Sequence, residues 1–278
     1  MENIKLIRHI EESKSSEDIR DGVIDEKELK LVTDYYVPAI LEDIEKNRVN
    51  KVVVISSDKS RSLQTANTLK ESLSQHIEIP IDSKVDKRTS AQEHGEYKLG
   101  ISMSHPLVKK AKSIYIKETF EKKNIWYRYG ETIDSNGNEI YPELKEVFES
   151  SGENQIELSI RMYRFFLDLL REKQDNPQTL FILSTHYIIM SRLLSLEYLS
   201  NKMDSFASLT FHPQGDLYMH EWESTIEMLN GENFHDFFKL RNFIFDVDVT
   251  KIDKIKNAIQ SDLDLLLAKY MQHYGETI

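Results

Sequence analysis

Lys51-Val52-Val53-Val54-Ile55-Ser56-Ser57-Asp58-Lys59-Ser60-Arg61-Ser62-Leu63-Gln64-Thr65-Ala66 is the stretch that decides the fold. Its opening is a short, β-branched apolar run, which reads as a buried strand rather than a helix. Hydroxyl and acidic residues end the run, with Asp58 suited to cap a helix. Leu63, Ala66, Leu69 and Leu73 then recur at helical spacing. A strand that passes through a short polar turn into a helix is the half-unit of a parallel α/β sheet. Arg61 stands near the start of that helix, where backbone N–H groups add to its own donors for an anion.

Working outward, the same grammar repeats. Ile4 to Ile7 reads as a strand that stops at Arg8-His9, before a polar stretch to about Gly22. Glu26 to about Asn47 has helical spacing, with Pro38 as a break or a kink. Ile77 to Ile81, extending towards Val85, suggests a further strand. Ile101 to Ser151 lacks a clean strand pattern and reads as a partly helical insertion. Glu153 to Leu170 is an amphipathic helix, and Thr179 to Leu183 a strand ending in Ser184-Thr185-His186. A helical run from Ile188 to Leu199 follows. Ser208 to Phe211 and Leu217 to Trp222 read as strands joined by a turn at Pro213-Gln214-Gly215-Asp216. Phe234 to Phe245 and Ile252 to Tyr274 read as helical. The expected architecture is a three-layer α/β/α sandwich around a mostly parallel sheet. It is one domain over residues 1–278, with a helical insertion at about 101–151 and a helical C-terminal extension at about 230–278.

Composition bounds the function. Among 278 residues, 36 Lys and Arg face 47 Asp and Glu, a net charge of −11, which argues against a nucleic-acid partner. With no cysteine, disulfides, thiolate metal sites and cysteine nucleophiles are excluded. No window approaches the ~18 apolar residues of a membrane span, and the start of the chain is too charged for a signal-peptide core, so a cytoplasmic protein without a membrane partner is expected. Lys109, Lys110, Lys112, Lys117, Lys122, Lys123 and Arg128 oppose only Glu118 and Glu121; they read first as a solvated helix face and second as a lid over substrate anions. Asp134, Asn136 and Asn138 sit at calcium-loop spacing, but Gly137 comes early and position twelve is Lys145, so that reading is rejected. Asp246 and Asp248 read as alternation in an edge strand or loop, and no metal site is expected. The aromatics Phe165, Phe166, Phe237 and Phe238 read as core.

In a parallel α/β sheet the ligand sits outside the carboxyl ends of the strands. Arg8-His9, Arg61 and His186 all fall there. The arginines suit bidentate contacts to phosphate oxygens. A neutral imidazole among them keeps a lone pair for attack on phosphorus, and a protonated one stabilises the transferring group.

These residues resemble the histidine phosphatase superfamily, also called phosphoglycerate mutase-like. Leu6-Ile7-Arg8-His9-Ile10-Glu11 is similar to its opening R-H-G-E motif, and Ser56 to Ala66 matches S-S-x-x-x-R-x-x-x-T-A without a gap. Arg88 to Gly95 falls where the family places its acid loop. Gly152-Glu153-Asn154 through Arg161 and Phe165 resembles the G-E-S helix, and Phe181 to His186 the strand that delivers the second histidine. The resemblance spans about residues 2–225. It implies the phosphoglycerate mutase-like fold, a phosphohistidine on His9, and a phosphate pocket completed by Arg8, Arg61 and His186. It also implies a carboxylic acid that protonates the leaving oxygen. That acid usually lies four residues before the loop glycine, where this chain has Ala91; Glu93 is the first choice and Glu96 the second. Ile10 and Tyr187 replace small residues beside the two histidines, and His186-Tyr187 lacks the H-D of the acid-phosphatase branch. That favours the branch with its acid in the loop before the insertion. The implied activity is metal-independent hydrolysis of a phosphorylated small molecule, with no cofactor. The alternatives are mutase-type phosphoryl transfer, or a phosphate-binding or interaction protein with weakened turnover. The sequence leaves the oligomeric state open.

Overall fold

The computed structural model describes residues 4–8, 24, 26–102, 104–134, 136–186, 207–211, 243–247 and 249–278. In chain order the strands are β1 (Ile4–Arg8), β2 (Lys51–Ser56), β3 (Ile81–Val85), β4 (Glu96–Tyr97), β5 (Phe148–Ser150), β6 (Thr179–Thr185), β7 (Ala207–Phe211) and β8 (Phe243–Val247). The helices are α1 (Glu26–Leu31), α2 (Val37–Asn47), α3 (Ser60–Ser74), α4 (Pro106–Ile116), α5 (Gln155–Asp175) and α6 (Ile252–Tyr274). Among the described residues, those up to Ala91 and Phe165–Ser261 form one compact unit, and Gln92–Arg164 with Asp262–Ile278 form a second.

The first unit holds a sheet ordered β3-β2-β6-β1-β8-β7. β3, β2, β6 and β1 run parallel, while β8 is antiparallel to both of its neighbours. This is the expected α/β class, a mostly parallel sheet flanked by helices. The alternation along the strands explains why both faces are covered. Ile7, Val52, Val54, Leu180 and Ile182 pack with Tyr36 from the turn between α1 and α2, with Ile40 of α2, and with Leu69 and Leu73 of α3. Their alternates Leu6, Val53, Ile55, Phe181 and Leu183 point the other way and are buried as well. Each such side chain contributes roughly 1.5–3 kcal/mol by leaving water. β3 lies at the edge, and Asp82 to Val85 are exposed there. Lys5 is buried in β1, and Asp43 of α2 supplies its counter-charge.

Pro38 does mark an irregularity. A π-helical turn, Val32–Tyr36, separates α1 from α2, and the Val37 N–H bonds to Val32 O five residues back. Proline has no N–H for the usual ladder, so the chain is re-registered just before it.

Several expectations change. The strand after β2 covers Ile81–Val85 rather than beginning at Ile77. Phe243–Val247, expected at the end of a helix, is strand β8, and it lies between β1 and β7 rather than at an edge. Short Phe-Ile-Phe-Asp-Val alternation fits either state locally, and pairing with β1 and β7 decides it. β7 takes β8 as its partner; the Pro213–Asp216 turn, Leu217–Trp222, Phe237 and Phe238 and the 188–199 helix lie outside the described residues.

The expected insertion falls inside the second unit. Its core joins Val108, Ala111, Ile114 and Tyr115 of α4 with Tyr127, Tyr129, Leu144 and Phe148. The insertion also holds a strand, β5, which pairs with β4 in an antiparallel two-stranded ladder. Asp134 accepts the N–H groups of Asn136 and Asn138, so this acid closes a turn. Among the described residues no helix is long and apolar enough to cross a membrane.

Candidate functional site

β2, β6 and β1 are parallel neighbours, so their carboxyl ends emerge along one edge of the sheet. Arg8 is the last residue of β1 and stands across from Thr185. Ser56 ends β2 across from Ser184. His186 follows β6 directly, and Arg61 is the second residue of α3. Arg8, Arg61 and His186, far apart in sequence, therefore share this edge. His9, Ile10 and Tyr187 lie outside the described residues.

Small buried hydroxyls build the edge. Ser56, Ser57, Ser62, Thr65 and Ala66 are all buried, because only small side chains let the start of α3 approach the strand ends. The Ser57 N–H donates to Ser62 Oγ at 3.1 Å, and Ser62 Oγ donates to Ser184 O at 2.6 Å. Thr65 Oγ1 returns to Arg61 O at 2.8 Å, fixing the turn that carries the arginine. Ser57 Oγ lies 3.0 Å from His186 Nε2, a contact that the motif reading did not assign. Its only sequence signal is the second serine of Ser56-Ser57.

The cap assignment at Asp58 is corrected. Lys59 occupies the N-cap position of α3 with no side-chain cap bond, and Asp58 instead accepts the Ser90 hydroxyl. Thr185 Oγ1 donates to Thr89 O at 2.8 Å. The loop after β3 is thus tied to the strand ends at two points. Within it, Arg88 is engaged by Asp86 at 2.8 Å and Asp168 at 2.6 Å, and lies over the Phe165 ring at 5.3 Å. These carboxylates push the Arg88 guanidinium further up, against the effect of burial. Burial alone raises the Asp86 carboxyl, but hydrogen bonds and charge from Arg88 outweigh it and hold the group below its usual range.

Gln92 to Gly95, the part of the expected acid loop that holds Glu93, lies in the second unit. Glu93 is exposed, and Glu153 holds its backbone from both sides. The Glu93 N–H donates to the Glu153 carboxylate at 3.3 Å, and Glu93 O accepts the Glu153 N–H at 3.0 Å. Arg161 binds that carboxylate through two bonds of 2.8 Å, so this arginine orders the loop. Gly95 and Gly152 meet backbone to backbone: a Cβ on Gly95 falls 2.2 Å from Ser150 O, and one on Gly152 falls 2.3 Å from Glu93 O. Gly95 also has φ +82°. Glu96, the second choice, is exposed in β4. His94 stacks on Tyr129 at 4.4 Å.

A capping box starts α5. Asn154 Oδ1 accepts the N–H groups of Ile156 and Glu157 at 2.9 Å, and Glu157 returns to the Asn154 N–H at 2.9 Å. Asn154 also donates to Tyr274 OH at 3.0 Å. The lysines from Lys109 to Lys123 are all exposed, as a solvated face requires, and Lys110 and Lys122 pair with Glu143 and Glu118.

No family model matches the sequence, and no curated protein matches it. Solved structures with a similar chain path include proteins described as "Mycobacterial hydrolase 1" and "Mycobacterial hydrolase 2". The first is 15% identical over 71% of this chain and 81% of its own, the second 16% over 71% and 72%, both with TM-score 0.43. A phosphoglycerate mutase from Bacillus anthracis str. Sterne is 14% identical over 73% of this chain and 84% of its own, again with TM-score 0.43.

Proposed function

We propose that this chain is a phosphoryl-transfer enzyme that hydrolyses a phosphomonoester of a small molecule through a phosphohistidine on His9. The observation that carries the reading is the common position of Arg8, Arg61 and His186 at the carboxyl edge of β1, β6 and β2, where α/β sheets bind ligands. In this scheme Arg8 and Arg61 grip the phosphoryl oxygens, and protonated His186 offsets the charge that spreads over them. His9 attacks phosphorus with its imidazole lone pair; the N–P bond forms as the P–O bond breaks. Protonated Glu93 gives its proton to the leaving oxygen. Ionised Glu93 then takes a proton from water, whose oxygen attacks phosphorus. The N–P bond breaks, inorganic phosphate leaves, and both groups return to their starting states.

Hydrolysis of p-nitrophenyl phosphate in metal-free buffer tests the scheme. Wild type releases phosphate and traps an acid-labile phosphoenzyme, His9→Ala does neither, and Glu93→Gln slows turnover about 100-fold. A wild type without turnover or phosphoenzyme from mildly acidic to neutral pH overturns the reading. Full activity in Glu93→Gln beside a dead His9→Ala overturns only the choice of acid.

A further inference from the structure

We infer that Ser57 is the positioning residue of His186, fixing through its hydroxyl the imidazole that the proposed reaction uses; the inference rests on that reading. Ser57 is 0% exposed and His186 2%, so bulk water does not take the place of either group's hydrogen bonds. Their contact is Oγ to Nε2 at 3.0 Å. Ser57 Oγ also accepts the Lys59 N–H at 3.3 Å, which leaves it one lone pair and one proton for the ring. It can donate to Nε2 of a neutral imidazole or accept from Nε2–H of an imidazolium. One hydroxyl thus serves both protonation states without moving.

The hydroxyl is itself held. The bond from the Ser57 N–H to Ser62 Oγ, with the reciprocal bonds between Ser62 and Ser184 at 2.6 and 3.1 Å, ties it to the strand that delivers the ring. Ser184 lies two residues before His186 on that strand. Among the described residues, the charged groups at this edge are Arg8 ending β1, Lys59 and Arg61 at the start of α3, Asp58 bonded to Ser90, and Asp86, Lys87 and Arg88 after β3. Removing the hydroxyl takes an acceptor from a buried Nε2–H. The cationic ring loses more by this than the neutral ring.

Ser57→Ala is therefore expected to lower the titration midpoint of the His186 ring, seen by NMR of 15N-labelled histidine and assigned with His186→Gln. With p-nitrophenyl phosphate the alkaline limb of kcat moves to lower pH and kcat falls about tenfold while KM changes little. Ser57→Cys, close in size but a poor hydrogen-bonding partner, gives the same shifts if the alanine variant does not fold. A folded variant with ring titration and alkaline limb both unchanged overturns the inference. A ring that shifts in a protein whose wild type releases no phosphate upholds the positioning and sinks the catalytic reading instead.

Discussion

At the scale of single residues, Gly152 shows how one absent carbon holds the loop around Glu93. Its would-be Cβ meets Glu93 O at 2.3 Å, and a backbone atom bonded on both sides cannot yield. Gly152→Ala is expected to destabilise the protein by about 2–3 kcal/mol in urea titrations and, under the proposed function, to lower kcat wherever it still folds. Gly137→Ala meets open space at φ +83° and loses only about 1 kcal/mol, from backbone strain alone. The sequence shows a glycine in each motif, but not that the two glycines touch. The same gap applies to Arg88, whose place at the head of the acid loop was legible while its two carboxylate partners were not. Arg88 holds the Asp86 carboxyl below the usual aspartate value of 3.8 despite burial, so its charge stabilises the fold above that value. That contribution disappears as pH falls through the lowered folded value. The thermal deficit of Asp86→Asn relative to wild type, clear at neutral pH, therefore narrows below pH 3.8.

At the scale of elements, a local signal is enough where one residue acts on its own backbone. Asn154 and Glu157 stand at capping-box spacing, and they start α5 two residues later than apolar periodicity suggests. Asn154→Ala is expected to lower stability by about 1 kcal/mol, read from the urea midpoint, and by more than a substitution at a cap without a partner such as Tyr274. Pro38 likewise announced its irregularity, because a missing N–H is a property of the residue. Strand β8 shows the opposite case. Phe243–Val247 takes its state from β1 on one side and β7 on the other, and nothing within five residues encodes either partner. Asp58 was misread for the same reason: a good capping residue finds a better acceptor role with Ser90, which is distant in sequence.

At the scale of the whole molecule, a net charge of −11 coexists with arginines gathered at one sheet edge. Under the proposed function, inorganic phosphate binds the folded state and not the unfolded chain. At 100 times its dissociation constant it is expected to add about 2.7 kcal/mol of stability, measured as a rise in melting temperature. Arg61→Ala removes most of that rise, whereas Lys123→Ala, on the exposed basic face, leaves it intact. The sequence by itself determined the class of fold, the strands β1, β2 and β6, and the identity of the candidate phosphate ligands. Each follows from residues within one strand–turn–helix unit, where apolar period and motif spacing are local properties. Only the tertiary structure decided the strand order β3-β2-β6-β1-β8-β7, the division into two units, the contact of Ser57 with His186, and the grip of Glu153 and Gly152 on the acid loop. Those features join residues from about 30 to about 240 positions apart, and hydrogen-bond pairing and close backbone approach over such separations leave no periodic trace in the chain.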